Sequence, residues 1–146
     1  MPERVAHEVF VDANLPHHGR SLFDDWSPAG RQFVQGQIDA NHGLWPAPEA
    51  ADLLDQGLSA DEASLMVERA TGHPGRTLGG LASLTGAGSA VPKTYIACMR
   101  GRKALPEDVE ALRGHAGWTF EELDSGHWPM VSARESLCEL LHSVAT

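Results

Sequence analysis

Three short runs of strand-forming residues, separated by helical or turn-rich segments, constrain this chain more than any other feature of its sequence. The first is His7-Glu8-Val9-Phe10-Val11-Asp12, the second Thr94-Tyr95-Ile96-Ala97-Cys98-Met99, and the third runs from Trp118 to Leu123. Val9, Phe10 and Val11 are consecutive apolar residues, the pattern of a parallel strand covered on both faces. The second run is rich in β-branched and aromatic residues that suit a pleated surface. Strands that alternate with helices form parallel sheets joined by right-handed crossovers. The fold class is therefore α/β, with a small three-stranded parallel sheet.

Between the first two strands, residues 21–90 read as helical and irregular. Pro16 and Gly19 break the chain ahead of this insert. Gly30 to Asn41 carries Phe33, Val34 and Ile38 at helical spacing. Ala47 to Leu54 reads as a short helix with Pro48 in its first turn, where a missing N–H costs nothing. Ser59 and Glu62 form a capping box for a helix that runs to about Thr71 and stops at Gly72, with Pro74 beyond. Gly79 to Ala90, rich in Gly, Ser, Ala and Thr, reads as a loop. After the second strand, Pro106 to His115 is predicted as a helix. Ser132 and Glu135 are expected to cap a final helix whose apolar face is Leu137, Leu140, Leu141 and Val144. The chain carries no internal repeat. The expected organisation is one domain, with a core of residues 1–20 and 91–146 and an insert of residues 21–90.

Composition narrows the function. A formal net charge of −9 repels phosphate backbones, so nucleic acid is not an expected partner. No apolar run approaches the roughly 20 residues needed to cross a bilayer, and no membrane partner is expected. The N-terminus, Met1-Pro2-Glu3-Arg4, lacks a charged-then-apolar signal pattern. Cys98 and Cys138 lie far apart in different predicted elements, which is no disulfide framework and fits a reducing cytoplasm. No zinc-ligand spacing is present, and no metal or cofactor is expected.

The candidate site follows the third strand, in Asp124-Ser125-Gly126-His127-Trp128-Pro129-Met130. Ligands of open α/β sheets collect at the carboxyl ends of strands. A Gly-His pair there can project the imidazole over the sheet edge, and histidine suits general acid–base work near neutral pH. The plain alternative is a loop histidine without a role.

Gly126, His127 and Met130, followed by a helix, resemble the Gly-His-x-x-Met segment that carries the catalytic histidine in the α/β-hydrolase superfamily, in its branch of small esterases and hydroxynitrile lyases. Val9-Phe10-Val11-Asp12-Ala13, with Leu15-Pro16 and Gly19, resembles the sixth strand of that branch, and Thr94 to Cys98 its seventh. The similarity covers nearly the whole chain, with residues 21–90 in the place of the cap. It implies a nucleophile in a Gly-x-Ser-x-Gly elbow ahead of the sixth strand. Met1 stands just before that strand here. The chain is thus expected to be a truncated α/β-hydrolase fold lacking the elbow and unable to run the acyl-serine route alone. The resemblance also implies an acid near Gly101, but the local sequence is Arg100-Gly101-Arg102-Lys103. Asp12 resembles the position from which some haloalkane dehalogenases of the superfamily supply their catalytic acid. A carboxylate there could orient His127; alternatively, Asp12 only forms a turn. Asp124 is a further candidate, more in keeping with a structural role.

In this branch the cap roofs an apolar pocket. Trp128, Trp26, Phe23 and Met130 are the residues expected to bind an apolar small molecule, against the ordinary reading that insert aromatics form core. Cys98 reads as a buried filler rather than a nucleophile. His17-His18 reads as a solvated pair, and Arg100, Arg102 and Lys103 as a solvated basic run that could meet a substrate carboxylate. An unpaired apolar strand edge at residues 9–12 is an association surface, so a homodimer or a partner protein is expected there. The functional expectation is a noncanonical hydrolase-like enzyme acting through His127 on an ester, lactone, epoxide or polyketide-like molecule. The alternatives are a catalytically inactive small-molecule-binding module and one subunit of a two-chain hydrolase.

Overall fold

The computed structural model describes residues 4–145 except 87 and 89. The three sequence-predicted strands form one parallel sheet in the order β1-β4-β5: Glu8–Val11 (β1), Lys93–Cys98 (β4) and Trp118–Leu123 (β5). A second, two-stranded antiparallel ribbon pairs Leu44–Trp45 (β2) with His73–Pro74 (β3) inside the insert, an element too short to leave a pattern in the sequence. Seven helices complete the described chain: Pro28–Ala40 (α1), Ala50–Asp55 (α2), Ala60–Arg69 (α3), Arg76–Gly79 (α4), Glu107–Glu110 (α5), Pro129–Ser132 (α6) and Arg134–Ala145 (α7), with a 3-10 turn at Leu22–Asp25.

The register explains why the strands read as they do. Phe10, Tyr95 and Phe120 stand side by side across the sheet, and Tyr95 stacks on Phe120 with ring centroids 5.8 Å apart. These rings face Val109 and Leu112 around α5. The opposite face presents Val9, Val11, Ile96 and Leu123 to Leu137 and Leu140 of α7. Period-two alternation thus feeds two separate cores. The central strand β4 is buried from Thr94 to Cys98, whereas β1 is only half-buried. Among the described residues no strand pairs with the outer edge of β1.

Several helix boundaries differ from expectation for local reasons. Pro48 lies ahead of α2, which is capped instead by Glu49 and Asp52. The capping box of Ser59 and Glu62 forms as expected, and α3 ends at Arg69. The helix after Pro106 keeps a single turn, Glu107–Glu110, before Gly114 and Gly117 take positive φ angles. Ser132 does not cap α7. Pro129 starts a helical turn one turn earlier, and the Ser132 hydroxyl donates back to the Trp128 carbonyl at 3.1 Å.

The insert meets the His127 loop at a close backbone crossing. Gly57 at the end of α2 (φ 94°) meets Gly126, and a Cβ on Gly126 would stand 2.1 Å from the Gln56 carbonyl oxygen. The His127 amide donates to that same carbonyl at 3.1 Å, and the Trp128 indole donates to the Gln56 side chain at 2.6 Å. A methyl group at position 126 must push backbone against backbone. Gly126→Ala is expected to lower stability by about 1–3 kcal/mol, the usual cost of overpacking a filled site. Chemical denaturation checks this, with Gly36→Ala, where nothing lies within 4 Å of an added Cβ and φ is not positive, as the control that is not expected to destabilise.

Candidate active site

The ends of all three strands of the parallel sheet meet around one carboxylate. Asp12 follows β1 with φ 46°, a left-handed conformation that aspartate tolerates better than most residues. Its amide continues the ladder by donating to the Ile96 carbonyl at 2.8 Å, while the chain turns away. The side chain is 1% exposed. A buried charge is stable only if paired and hydrogen-bonded, and here the donors are complete. The Cys98 amide donates to Oδ1 at 3.3 Å. Arg102 Nη2 lies 2.9 Å from both oxygens. His127 Nδ1 lies 2.7 Å from Oδ2. Burial pushes the Asp12 carboxyl up, but the His127 hydrogen bond, the Arg102 charge and the Cys98 amide outweigh it and hold Asp12 below its ordinary value. Asp12 is therefore ionised at neutral pH. An ionised carboxylate has no proton to donate, so the His127 Nδ1 carries the hydrogen and Nε2 the free lone pair when the ring is neutral.

The His127 loop is fixed from two sides. Arg100 donates from its amide to the Ser125 carbonyl at 3.0 Å and from its guanidinium to the Asp124 carbonyl at 2.6 Å. Gln56 holds the other side, as described above. Ser125 is fully buried beneath the loop. Trp128 packs edge-on to the His127 ring with centroids 5.2 Å apart, and joins Leu53, Leu58 and Ala63 of the insert. The far side of the imidazole is open, with the side chain 47% exposed.

The remaining sequence candidates lie elsewhere. Phe23 is buried in the insert core with Val34, Ile38 and Leu78, and Trp26 stands between Phe23 and Trp45. Of the four residues expected to bind a small molecule, only Trp128 is in ring contact with His127. Met130 is 48% exposed. Three cavities, of about 640, 500 and 320 Å³, are lined by other residues than His127 and Asp12. The first of these lies between Trp26, Leu15 and α5, and His17 and Asp108 meet in its wall at 3.1 Å. His18 is exposed and accepts from the Leu84 amide at 3.1 Å, so both histidines lie at the surface with one hydrogen-bond partner each. Arg102, read as part of a solvated run, is exposed but bonded to Asp12. Cys98 is buried, and burial raises its thiol above the ordinary range, as expected of a filler. Asp124 pairs with Arg100 at the surface. Among the described residues no group of three or more His, Cys, Asp or Glu side chains is placed to hold a metal, and no helix is long and apolar enough to cross a membrane.

With this geometry established, comparison with known proteins gives one informative result. No family model matches the chain, and no curated protein matches it. A solved structure does: an extracellular α/β-hydrolase from a Paenibacillus species, described as sharing structural and functional homology with tobacco salicylic acid binding protein 2. The superposition has a TM-score of 0.79 at 21% identity and covers 98% of this chain. The fold is that of an α/β-hydrolase. The chain spans 63% of the length of that hydrolase.

The lowered Asp12 acidity has a direct consequence for stability. A carboxylate that is a stronger acid when folded contributes stability above its unfolded value, near 3.8, and that contribution fades as pH falls through the folded value. Asp12→Asn is expected to lose more stability at pH 7 than at pH 3. Denaturant titrations of both proteins across that range check this; a difference independent of pH contradicts it.

Proposed function

We propose that this chain is a hydrolase-like enzyme in which His127, oriented by Asp12, acts as general acid and base on an apolar small molecule, without a serine nucleophile of its own. The observation that carries the reading is the 2.7 Å contact between His127 Nδ1 and a buried, ionised Asp12, which leaves Nε2 as a free base facing outward. The α/β-hydrolase fold supports the reaction class, although a fold alone does not establish a reaction.

The chemistry balances without a covalent intermediate. Nε2 takes a proton from water, the resulting hydroxide adds to a carbonyl or opens a strained ring, and the imidazolium returns the proton to the leaving oxygen. Asp12 stabilises the imidazolium through Nδ1–H. An ester, a lactone, an epoxide or a polyketide-like ring fits this scheme. Trp128 supplies the adjoining apolar wall. Phe23, Trp26 and Met130 are not needed for this step. The cell's reducing cytoplasm fits two unpaired thiols, Cys98 and Cys138, whereas the solved relative is described as extracellular.

One observation favours a second reading. The imidazole is open on its working side, with the side chain 47% exposed. That arrangement suits a site completed by another polypeptide, either a second copy or a partner chain supplying the nucleophile. The unpaired edge of β1 adjoins Asp12 and is the surface for either.

Two measurements separate these readings. With para-nitrophenyl acetate and a lactone panel, His127→Ala is expected to lower turnover by about 100- to 10,000-fold, the usual worth of a general base, while thermal shifts caused by bound ligands persist. Unchanged turnover removes the role. Light scattering at low micromolar concentration is expected to give twice the monomer mass; a clean monomer removes the homodimer.

A further inference from the structure

Beyond its charge, Arg102 makes a directional contact with both oxygens of the buried carboxylate. We infer that Arg102 is a positioning residue of the acid–base site: it fixes the rotation of the Asp12 carboxylate, and through it the tautomer and orientation of His127. The inference rests on the reading of His127 as the base and adds the group that holds its orienting acid.

Arg102 Nη2 bridges both Asp12 oxygens at 2.9 Å, so it opposes rotation of the carboxylate about its last bond. The guanidinium is itself anchored, because Nε donates to the Cys98 carbonyl at 3.2 Å. Cys98 also donates its own amide to Asp12 Oδ1. The end of β4 therefore holds the acid directly and holds the arginine that holds the acid. Each oxygen thus has two partners, Cys98 and Arg102 at Oδ1 and Arg102 and His127 at Oδ2.

The backbone is built to deliver this side chain. Met99 to Arg102 form a tight turn closed by the Arg102 amide donating to the Met99 carbonyl at 3.1 Å, and Gly101 at its third position has φ 73°, the conformation such turns demand of glycine. The turn folds Arg102 back over the strand end, while Arg100, two residues earlier, points to Asp124. Two basic residues of one short run thus tie β4 to the end of β1 and to the His127 loop.

A guanidinium does this where an ammonium would not. Its planar fork places two N–H vectors at fixed angles, one set on Cys98 and one on Asp12. Arg102→Lys keeps the charge and loses the fork. Arg102→Met loses both. The side chain is 32% exposed, so a methionine has room at this position without cutting into a closed core.

The test reads the imidazole itself. In the intact protein labelled with 15N-histidine, the His127 ring is expected to show one protonated and one unprotonated nitrogen, assigned to Nδ1 and Nε2. In Arg102→Met the two signals are expected to draw together as the tautomers exchange, with Arg102→Lys between the two. With para-nitrophenyl acetate, kcat is expected to fall about 10- to 100-fold in Arg102→Met with KM unchanged, less than on removing the base. Circular dichroism shows whether each variant keeps its fold; should Arg102→Met fail to fold, Arg102→Lys carries the test. A folded variant that loses stability but keeps the wild-type ring pattern overturns the inference and leaves Arg102 as a plain ion pair. If instead His127→Ala keeps full turnover while Arg102→Met shifts the ring, the positioning stands and the catalytic reading falls.

Discussion

A single buried carboxylate organises the functional end of this protein. Asp12 takes donors from the Cys98 amide, the Arg102 guanidinium and the His127 ring, and those groups come from the ends of β4 and from the loop after β5. Leaving such a charge unpaired inside a protein is strongly unfavourable, of the order of several kcal/mol. The three strand ends are therefore bound to one another through it. Among the described residues no buried side-chain nitrogen or oxygen lacks a hydrogen-bond partner. The polar site is fully satisfied rather than frustrated, apart from the one lone pair that faces outward.

The rest of the structure serves that end of the sheet. Two apolar cores, one under α5 and one under α7, clamp β4 between them and make it rigid. The insert contributes through Gln56 and Gly57, whose backbone crosses Gly126 at a distance only glycine allows. Position 126 thus carries two demands, close packing beneath the insert and delivery of the next residue's imidazole. This is why a Gly-His pair suits the location physically, whatever reaction is run there.

The sheet and the central pair were legible in the sequence, and the reasons are specific. β-branched and aromatic residues identify β4 almost to the residue, the run Trp118 to Leu123 coincides with β5, and consecutive apolar residues identify β1. The Ser59–Glu62 box marks the start of α3 because both partners lie within one turn. His127 and Asp12 stand at strand ends, where chain direction alone restricts what they can reach. Other features depend on contacts that local sequence does not encode. Arg102 read as solvated, because only a turn closed through Gly101 brings it back to Asp12. The partner of His17 was not legible, because Asp108 lies 91 residues away. Ser132 read as a cap until Pro129 began the helix earlier. Phe23 read as a pocket wall but is buried in the small core of the insert, against which Trp26 packs while also lining a cavity.

The proton on His127 decides the account most directly. A neutron structure of deuterated protein near neutral pH would locate it. The account predicts deuterium on Nδ1 directed at Asp12 Oδ2, none on either Asp12 oxygen, and Arg102 lying across both oxygens. Deuterium on the carboxylate, or an imidazole turned so that a carbon faces Asp12, would contradict it.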